Sequence, residues 1–355
     1  MAFFETENIF IKGIAACVPE KIIKTIDLEM FSEKDAQVFE QNTGIKQRHV
    51  ADGNICASDL CFQAAENIIN KLNWQKDEID VLIFISQSPD YILPATSNLL
   101  QNRLELSKDC FCLDISLGCS GYIYGLSVVA NLLQNKKFNK ALLLVGDTIS
   151  TYTSSEDKSV YPLFGDAGTA TAIEFADKSN NWSFEIGTDG SGLEAIKIKD
   201  GGARNKTNSN SFKYTNIDAN DEKLGRRRAV DLQLNGIDVF NFAIKTAPNS
   251  IKELLEKIDK SIEDIDYVFL HQANKFMNDT IRKKLKIDKE KTPTSIENFG
   301  NTNGASIPLT IVQAFKDTKP ANDIDVVLCG FGVGLSWGAV NLKLEKDIEI
   351  DMSYL

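Results

Sequence analysis

Two stretches decide the fold: KDEIDVLIFISQSP at residues 76–89 and IEDIDYVFLHQANK at residues 262–275. Each opens on an acidic Ile-Asp lead-in and continues through β-branched and aromatic residues, the pattern of a strand buried on both faces. Each follows a long helical segment, CASDLCFQAAENIINKL at 56–72 and GIDVFNFAIKTAPNSIKELLEKI at 236–258. Downstream of each lies a second strand-like run, KALLLVGD at 140–147 and IDVVLCGFG at 324–332. Both pairs are offset by about 185 residues, and self-similarity at one fixed spacing marks an internal duplication. Strands alternating with helices imply sheets covered by helices. The expectation is an α/β protein of two related halves, residues 1–175 and 176–355, packed in layers. Residues of about 198–228, rich in Gly, Asn, Ser and charge, read as a long surface excursion. The acidic tail EKDIEIDMSYL after Leu344 suggests no role.

Composition narrows the function. The chain has 355 residues, 43% hydrophobic and 25% charged, enough to bury a large core under an ordinary surface. Its start, MAFFETENIF, lacks the basic and apolar regions of a signal peptide, and no apolar run reaches the roughly 18–20 residues of a membrane span. A soluble, cytoplasmic protein with no membrane partner is expected. A net charge of −11 argues against nucleic acid, which needs a basic face, but leaves room for an acidic partner on a local basic patch. Seven cysteines, an odd number without a signal peptide, read as reduced thiols. Two histidines and no CxxC pair argue against a metal site.

Three residues could do chemistry. In LDISLGCSGYIYGLSVVANLLQ (113–134) a strand runs into a helix, and Cys119 stands at the turn, where free N–H groups and the helix macrodipole favour a thiolate. A buried, inert thiol is the competing reading, since cysteine is among the most buried residue types. His271, at the end of the repeated strand in FLHQANKF, stands where strand ends face a crevice and could donate a hydrogen bond or move a proton. A half-buried histidine satisfied by backbone competes with that. Asn301, in ENFGNTNGASIP, is either a turn former or an amide aimed at a developing oxyanion. His49 reads as structural. The glycine-rich GFGVGLSWG (330–338) lacks GxGxxG spacing and suits a tight hairpin better than a dinucleotide loop.

Together, GCSG around Cys119, HQAN at 271–274, GNTNGAS at 300–306 and GFGVGLSWG resemble β-ketoacyl-acyl carrier protein synthase III, with TGIKQRH at 43–49 and FGDAGTA at 164–170 in the family's order. The resemblance implies the duplicated thiolase-like fold, layered α-β-α-β-α, and a homodimer. It implies decarboxylative Claisen condensation of an acyl primer with malonyl-acyl carrier protein, initiating fatty acid synthesis without a cofactor. Cys119 would carry the primer as a thioester, and His271 and Asn301 would bind the malonyl carbonyl and its enolate. Backbone N–H groups of Cys119 and Val333 would form the oxyanion hole, and Leu93 in YILPATS would gate the acyl pocket across the dimer. Lys158, Ile237, Gly236 and Ala273 fall at coenzyme A or pantetheine contacts. Lys275 and Arg282 would dock the carrier protein, with Arg226–Arg228 a further basic candidate. The two coenzyme-clasping positions before TGI hold Val38 and Asn42 where the family has tryptophan and arginine, and Ile237 replaces an asparagine. This implies weakened or remodelled coenzyme A binding and a primer carried on another thiol, such as acyl carrier protein, with acyl-coenzyme A remaining the other donor. With two histidines in the chain, an elongating Cys-His-His synthase does not fit. A specialised acyltransferase of a secondary or polyketide-type pathway, or a non-catalytic partner subunit, are the other readings.

Overall fold

The computed structural model describes residues 1–219 and 221–355. Two sheets carry the chain. The first has six strands in the order Glu349–Tyr354 (β11), Ile9–Val18 (β2), Ala167–Phe175 (β6), Lys140–Asp147 (β5), Val81–Ile85 (β3) and Phe111–Ile115 (β4). The second has five, in the order Ala2–Thr6 (β1), Trp182–Thr188 (β7), Ser336–Leu344 (β10), Ile324–Gly332 (β9) and Tyr267–Leu270 (β8). The run β3-β5-β6-β2 and the run β8-β9-β10-β7 repeat the same senses, one parallel pairing followed by two antiparallel ones. The duplication seen as a spacing in the sequence is thus a repeated strand order.

Burial explains why these strands lack polar alternation. Val81, Ile83 and Ile85 pack into the core between the sheets, while Leu82 and Phe84 pack on the opposite face. In the second sheet Val326 and Leu328 face the shared core and Val327 and Cys329 face outward into another apolar cluster. Both faces of a strand are dry only if helices cover both. The helices Gly121–Leu133 (α4) and Ser306–Phe315 (α7) fill the central layer. Ala57–Leu72 (α2) and Thr96–Arg103 (α3) cover one outer face, and Gly236–Lys257 (α5) and Lys275–Leu285 (α6) the other. A further helix, Glu33–Thr43 (α1), opens with a capping box on Ser32. The result is the five-layer α-β-α-β-α arrangement of the thiolase-like fold.

The chain ends cross between the halves. The tail forms β11, parallel to β2, so the first sheet is completed by the last residues, and the second by β1 from the first residues. The excursion is tied down by a hairpin, Thr215–Asp218 with Asp221–Arg227. Lys158 N–H donates to Leu224 O at 3.2 Å and Arg226 N–H to Glu156 O at 3.2 Å, which pins the hairpin against residues 156–158. No helix of the described residues is long and apolar enough to cross a membrane, and all seven cysteines are free.

Candidate active site

The strand β4 ends at Ile115 and α4 begins at Gly121, so Cys119 occupies the turn between them. Glycine at the end of β9 brings the second sheet against it. A Cβ on Gly332 would lie 2.5 Å from Cys119 Cβ and 2.6 Å from its Sγ. The thiol is 8% exposed, and burial pushes it up to about 11. Backbone groups of Val333 and Cys119 pull the other way, toward the thiolate, but do not win. Desolvation therefore outweighs these backbone groups, and the resting sulfur is a thiol, not the thiolate expected from the turn. Its hydrogen-bond acceptor is Asn303 Oδ1, at 3.2 Å.

His271 follows β8 and extends the parallel ladder, its N–H donating to Cys329 O at 2.9 Å. The ring is 2% exposed and lies edge-on to Phe331. Burial drives its pKa down to about 3, partly offset by an Asn303 backbone group, so the imidazole is neutral at physiological pH. Nδ1 lies 2.7 Å from Ser306 Oγ, the first residue of α7. Gln272 N–H donates to the same oxygen at 3.3 Å; a Ser306 hydroxyl that gives its own hydrogen to Nδ1 leaves the ring proton on Nε2.

Asn301 sits on a loop clamped to the first half, its N–H donating to Leu163 O at 2.9 Å. Its Oδ1 accepts the Asn303 N–H at 2.9 Å, so the amide presents its Nδ2–H end as a donor. Cys119, His271 and Asn301 all line one cavity of about 180 Å³, together with Gln87, Asn303 and Val333. Residues 119 and 271 come from loops at strand ends, where sheets of this kind open their crevices, and Asn301 from the loop after the short helix Ile296–Phe299. Among the described residues, no cluster of three His, Cys, Asp or Glu side chains is placed to hold a metal.

The other residues singled out from sequence are scattered. Gly236 and Ala273 line the cavity, and Val333 stands in the turn between β9 and β10. Ile237, 74% exposed, sits beside Gly236 at the rim, whereas Lys158 is off the wall and its neighbour Ser159 is on it. Leu93, 84% exposed, is outside the cavity of its own chain. Lys275 is exposed and pairs with Asp279 at 3.1 Å. Arg282 is held at the end of its helix, Nη1 donating to the carbonyl of Ile287, two residues past Leu285, at 3.0 Å. Arg226, Arg227 and Arg228 each face a carboxylate, of Glu156, Asp157 and Asp231. Val38 is exposed on α1.

Sequence reasoning passed over Asn303, Gln87, Asp147 and Ser306. Asn303 is the second asparagine of GNTNGAS, where the Gly-Asn composition reads as a turn, and the structure gives it the left-handed backbone (φ +53°) of one. Asp147 ends a strand the sequence did identify, and nothing local marks its carboxylate as buried.

A duplicated five-layer fold with a cysteine at a helix start, facing a neutral histidine and an asparagine amide from the other half, defines a thiolase-like condensing enzyme. The family models for 3-oxoacyl-[acyl-carrier-protein] synthase III and for its C-terminal part match residues 113–190 and 255–344. The chain belongs to the β-ketoacyl-[acyl-carrier-protein] synthase III family, acyltransferases of the condensing type. It is 33% identical over 340 residues to the Staphylococcus aureus (strain Newman) synthase III, covering 96% of this chain and 100% of that one. The 3-oxoacyl-(acyl-carrier protein) synthase crystal structure from Burkholderia xenovorans LB400 superposes with a TM-score of 0.91 at 35% identity, covering 99% of each chain. The Aquifex aeolicus VF5 synthase III structure gives 0.81 at 26% identity, covering 94% of this chain and 99% of that one.

Proposed function

We propose that this chain starts fatty acid chains by condensing a Cys119-bound acyl primer with malonyl-acyl carrier protein. The convergence of the buried side chains of Cys119, His271 and Asn301 on one cavity carries the reading. In the first half-reaction Cys119 Sγ attacks the primer thioester carbonyl. The tetrahedral oxyanion is met by the backbone N–H groups of Cys119 and Val333, and the carrier thiol leaves with the proton that Cys119 gives up. In the second, the malonyl carboxylate departs as carbon dioxide and leaves its bonding pair on the thioester as an enolate. Nε2–H of His271 and Nδ2–H of Asn301 donate to the enolate oxygen. A neutral imidazole suits this role, because it donates a hydrogen bond without demanding a change of protonation. The enolate carbon then attacks the acyl-cysteine, and the Cys119 thiolate leaves and recovers a proton.

The primer carrier follows from the rim. Ile237 and Phe276, exposed by 74% and 61%, adjoin the cavity-lining Gly236 and Met277 in the chain and add apolar surface where a nucleotide phosphate would need cations. Acyl carrier protein is therefore the preferred donor over acyl-coenzyme A, with the exposed Lys275, paired to Asp279 at 3.1 Å, as its docking cation, and the enzyme works in the cytoplasm as a homodimer. Intact-protein mass spectrometry with a panel of acyl-carrier protein and acyl-coenzyme A donors tests both parts. An acyl adduct absent from Cys119→Ala, larger with the carrier-protein donor, is expected. No adduct from any donor defeats the nucleophile, and faster loading from coenzyme A defeats the choice of carrier.

A further inference from the structure

Behind the nucleophile lies a chain of hydrogen bonds that none of the steps above employs. The Cys119 thiol donates to Asn303 Oδ1 at 3.2 Å, and Asn303 Nδ2–H donates to Asp147 Oδ2 at 2.7 Å. Asp147 is buried, and its other oxygen is saturated by the Gln87 N–H at 2.7 Å and by the Ser86 and Ser88 hydroxyls, each at 3.0 Å. An ionised carboxylate can only accept. It therefore dictates which end of the Asn303 amide faces it, and leaves the acceptor end for the sulfur. Asn303 is itself anchored, since Asn301 Oδ1 accepts its N–H at 2.9 Å. Glycine at position 118 admits this side chain: a Cβ there would fall 2.8 Å from Asn303 Oδ1.

We propose that Asn303, oriented by Asp147, is a positioning pair that keeps the Cys119 sulfur protonated and pointed until an acyl thioester arrives. The pair rests on Cys119 being the nucleophile but adds a function to it. A hydrogen-bond acceptor at the sulfur favours the thiol over the thiolate. The same oxygen has no donor to receive once the sulfur is acylated, so the relay acts on the free enzyme and releases the acyl-enzyme. Its consequence is a nucleophile that resists adventitious electrophiles and oxidants, which attack thiolates. The titratable groups around the sulfur are His271, on the cavity wall, and Asp147, behind Asn303. Burial raises Asp147 to about 6, so near neutral pH its ionised, acceptor-only form predominates.

The test is the pH profile of Cys119 alkylation by iodoacetamide, read by peptide mass mapping without any substrate. Failure here would thus leave the condensing reading untouched. In Asp147→Asn the new amide can accept the three donors with its oxygen and donate to Asn303, which flips and turns its own N–H to the sulfur. In Asn303→Gly the left-handed backbone is kept, the acceptor is lost and the Asp147 charge remains, which separates the hydrogen bond from simple charge repulsion. Both variants should move the profile down by about one pH unit or more, giving about tenfold faster alkylation at pH 8. A role confined to packing would lower the melting temperature and leave the midpoint in place. Profiles that coincide with the wild type in a folded Asn303→Gly overturn the proposal, and that variant decides alone if Asp147→Asn fails to fold.

Discussion

At Gly332 one hydrogen atom stands between a working site and a blocked one. A methyl group there would press on Cys119 Cβ at 2.5 Å, a distance no real contact tolerates. The nucleophile must then shift, and a displacement near 1 Å costs about a hundredfold in rate when geometry supplies the catalysis. Gly332→Ala should therefore lose about 100-fold in the rate of acyl loading at Cys119. Its melting temperature should fall by a few degrees, consistent with the roughly 1–3 kcal/mol of a local overpacking. Loading at the wild-type rate would show that the site has slack the structure does not display. Residues of this kind divide cleanly by legibility. Cys119 could be placed from its own neighbourhood, a strand end followed by small residues and an apolar helix. Its protonation could not, because it depends on how much structure from residues 301–303 and 331–333 closes over it. Asn303 was unreadable for a related reason: its partner, Asp147, is 156 positions away.

Elements buried on both faces were legible because their composition leaves no alternative: Val81–Ile85 and Ile324–Gly332 carry apolar residues at nearly every position. The tail was not, because EKDIEIDMSYL alternates with acidic residues and its partner strand lies at the other end of the chain. In the structure Ile348 and Ile350 are 1% and 5% exposed. Lys71 Nζ donates to Ile350 O at 2.6 Å, and Asn67 Nδ2 to Asp351 Oδ2 at 2.9 Å. Removing β11 would expose the outer edge of β2, a strand with nine of its ten residues buried. A chain ending at Glu345 should lose roughly 3–6 kcal/mol from the two isoleucines alone, at about 1.5–3 kcal/mol each. Urea unfolding followed by circular dichroism measures this, and an unchanged midpoint would mean the strand is an ornament. The bared edge should also make the truncated protein prone to aggregate, since unpaired backbone groups next to apolar side chains template further strands.

The whole molecule leaves another edge bare. The strand β4 is the terminal strand of its sheet, and Phe111 and Leu113 on it are 40% and 39% exposed. Close by in the same half, Tyr91, Ile92 and Leu93 are exposed by 61%, 96% and 84%, on a loop tied to β4 through Asp114, which accepts the Thr96 and Ser97 N–H groups at 2.7 Å. An apolar edge strand is a liability unless something pairs with it, and a second copy related by a two-fold axis offers the same strand in return. Such pairing would cover Phe111 and Leu113 and carry each Leu93 loop toward the neighbouring chain, the place from which a gate on the acyl pocket could act. Each copy carries a net charge of −11, so the two repel over a distance that salt shortens to about 8 Å at physiological ionic strength. Association driven by apolar strands against like charge should strengthen as salt is added, whereas docking of an acidic carrier on a lysine should weaken. Analytical ultracentrifugation across a salt series should give twice the chain mass, with the dissociation constant falling as salt rises. Leu113→Lys combined with Ile92→Asp should sediment as a monomer that still unfolds cooperatively. A wild-type monomer at every salt concentration, or a double variant that remains dimeric, would remove β4 and the Leu93 loop from the interface.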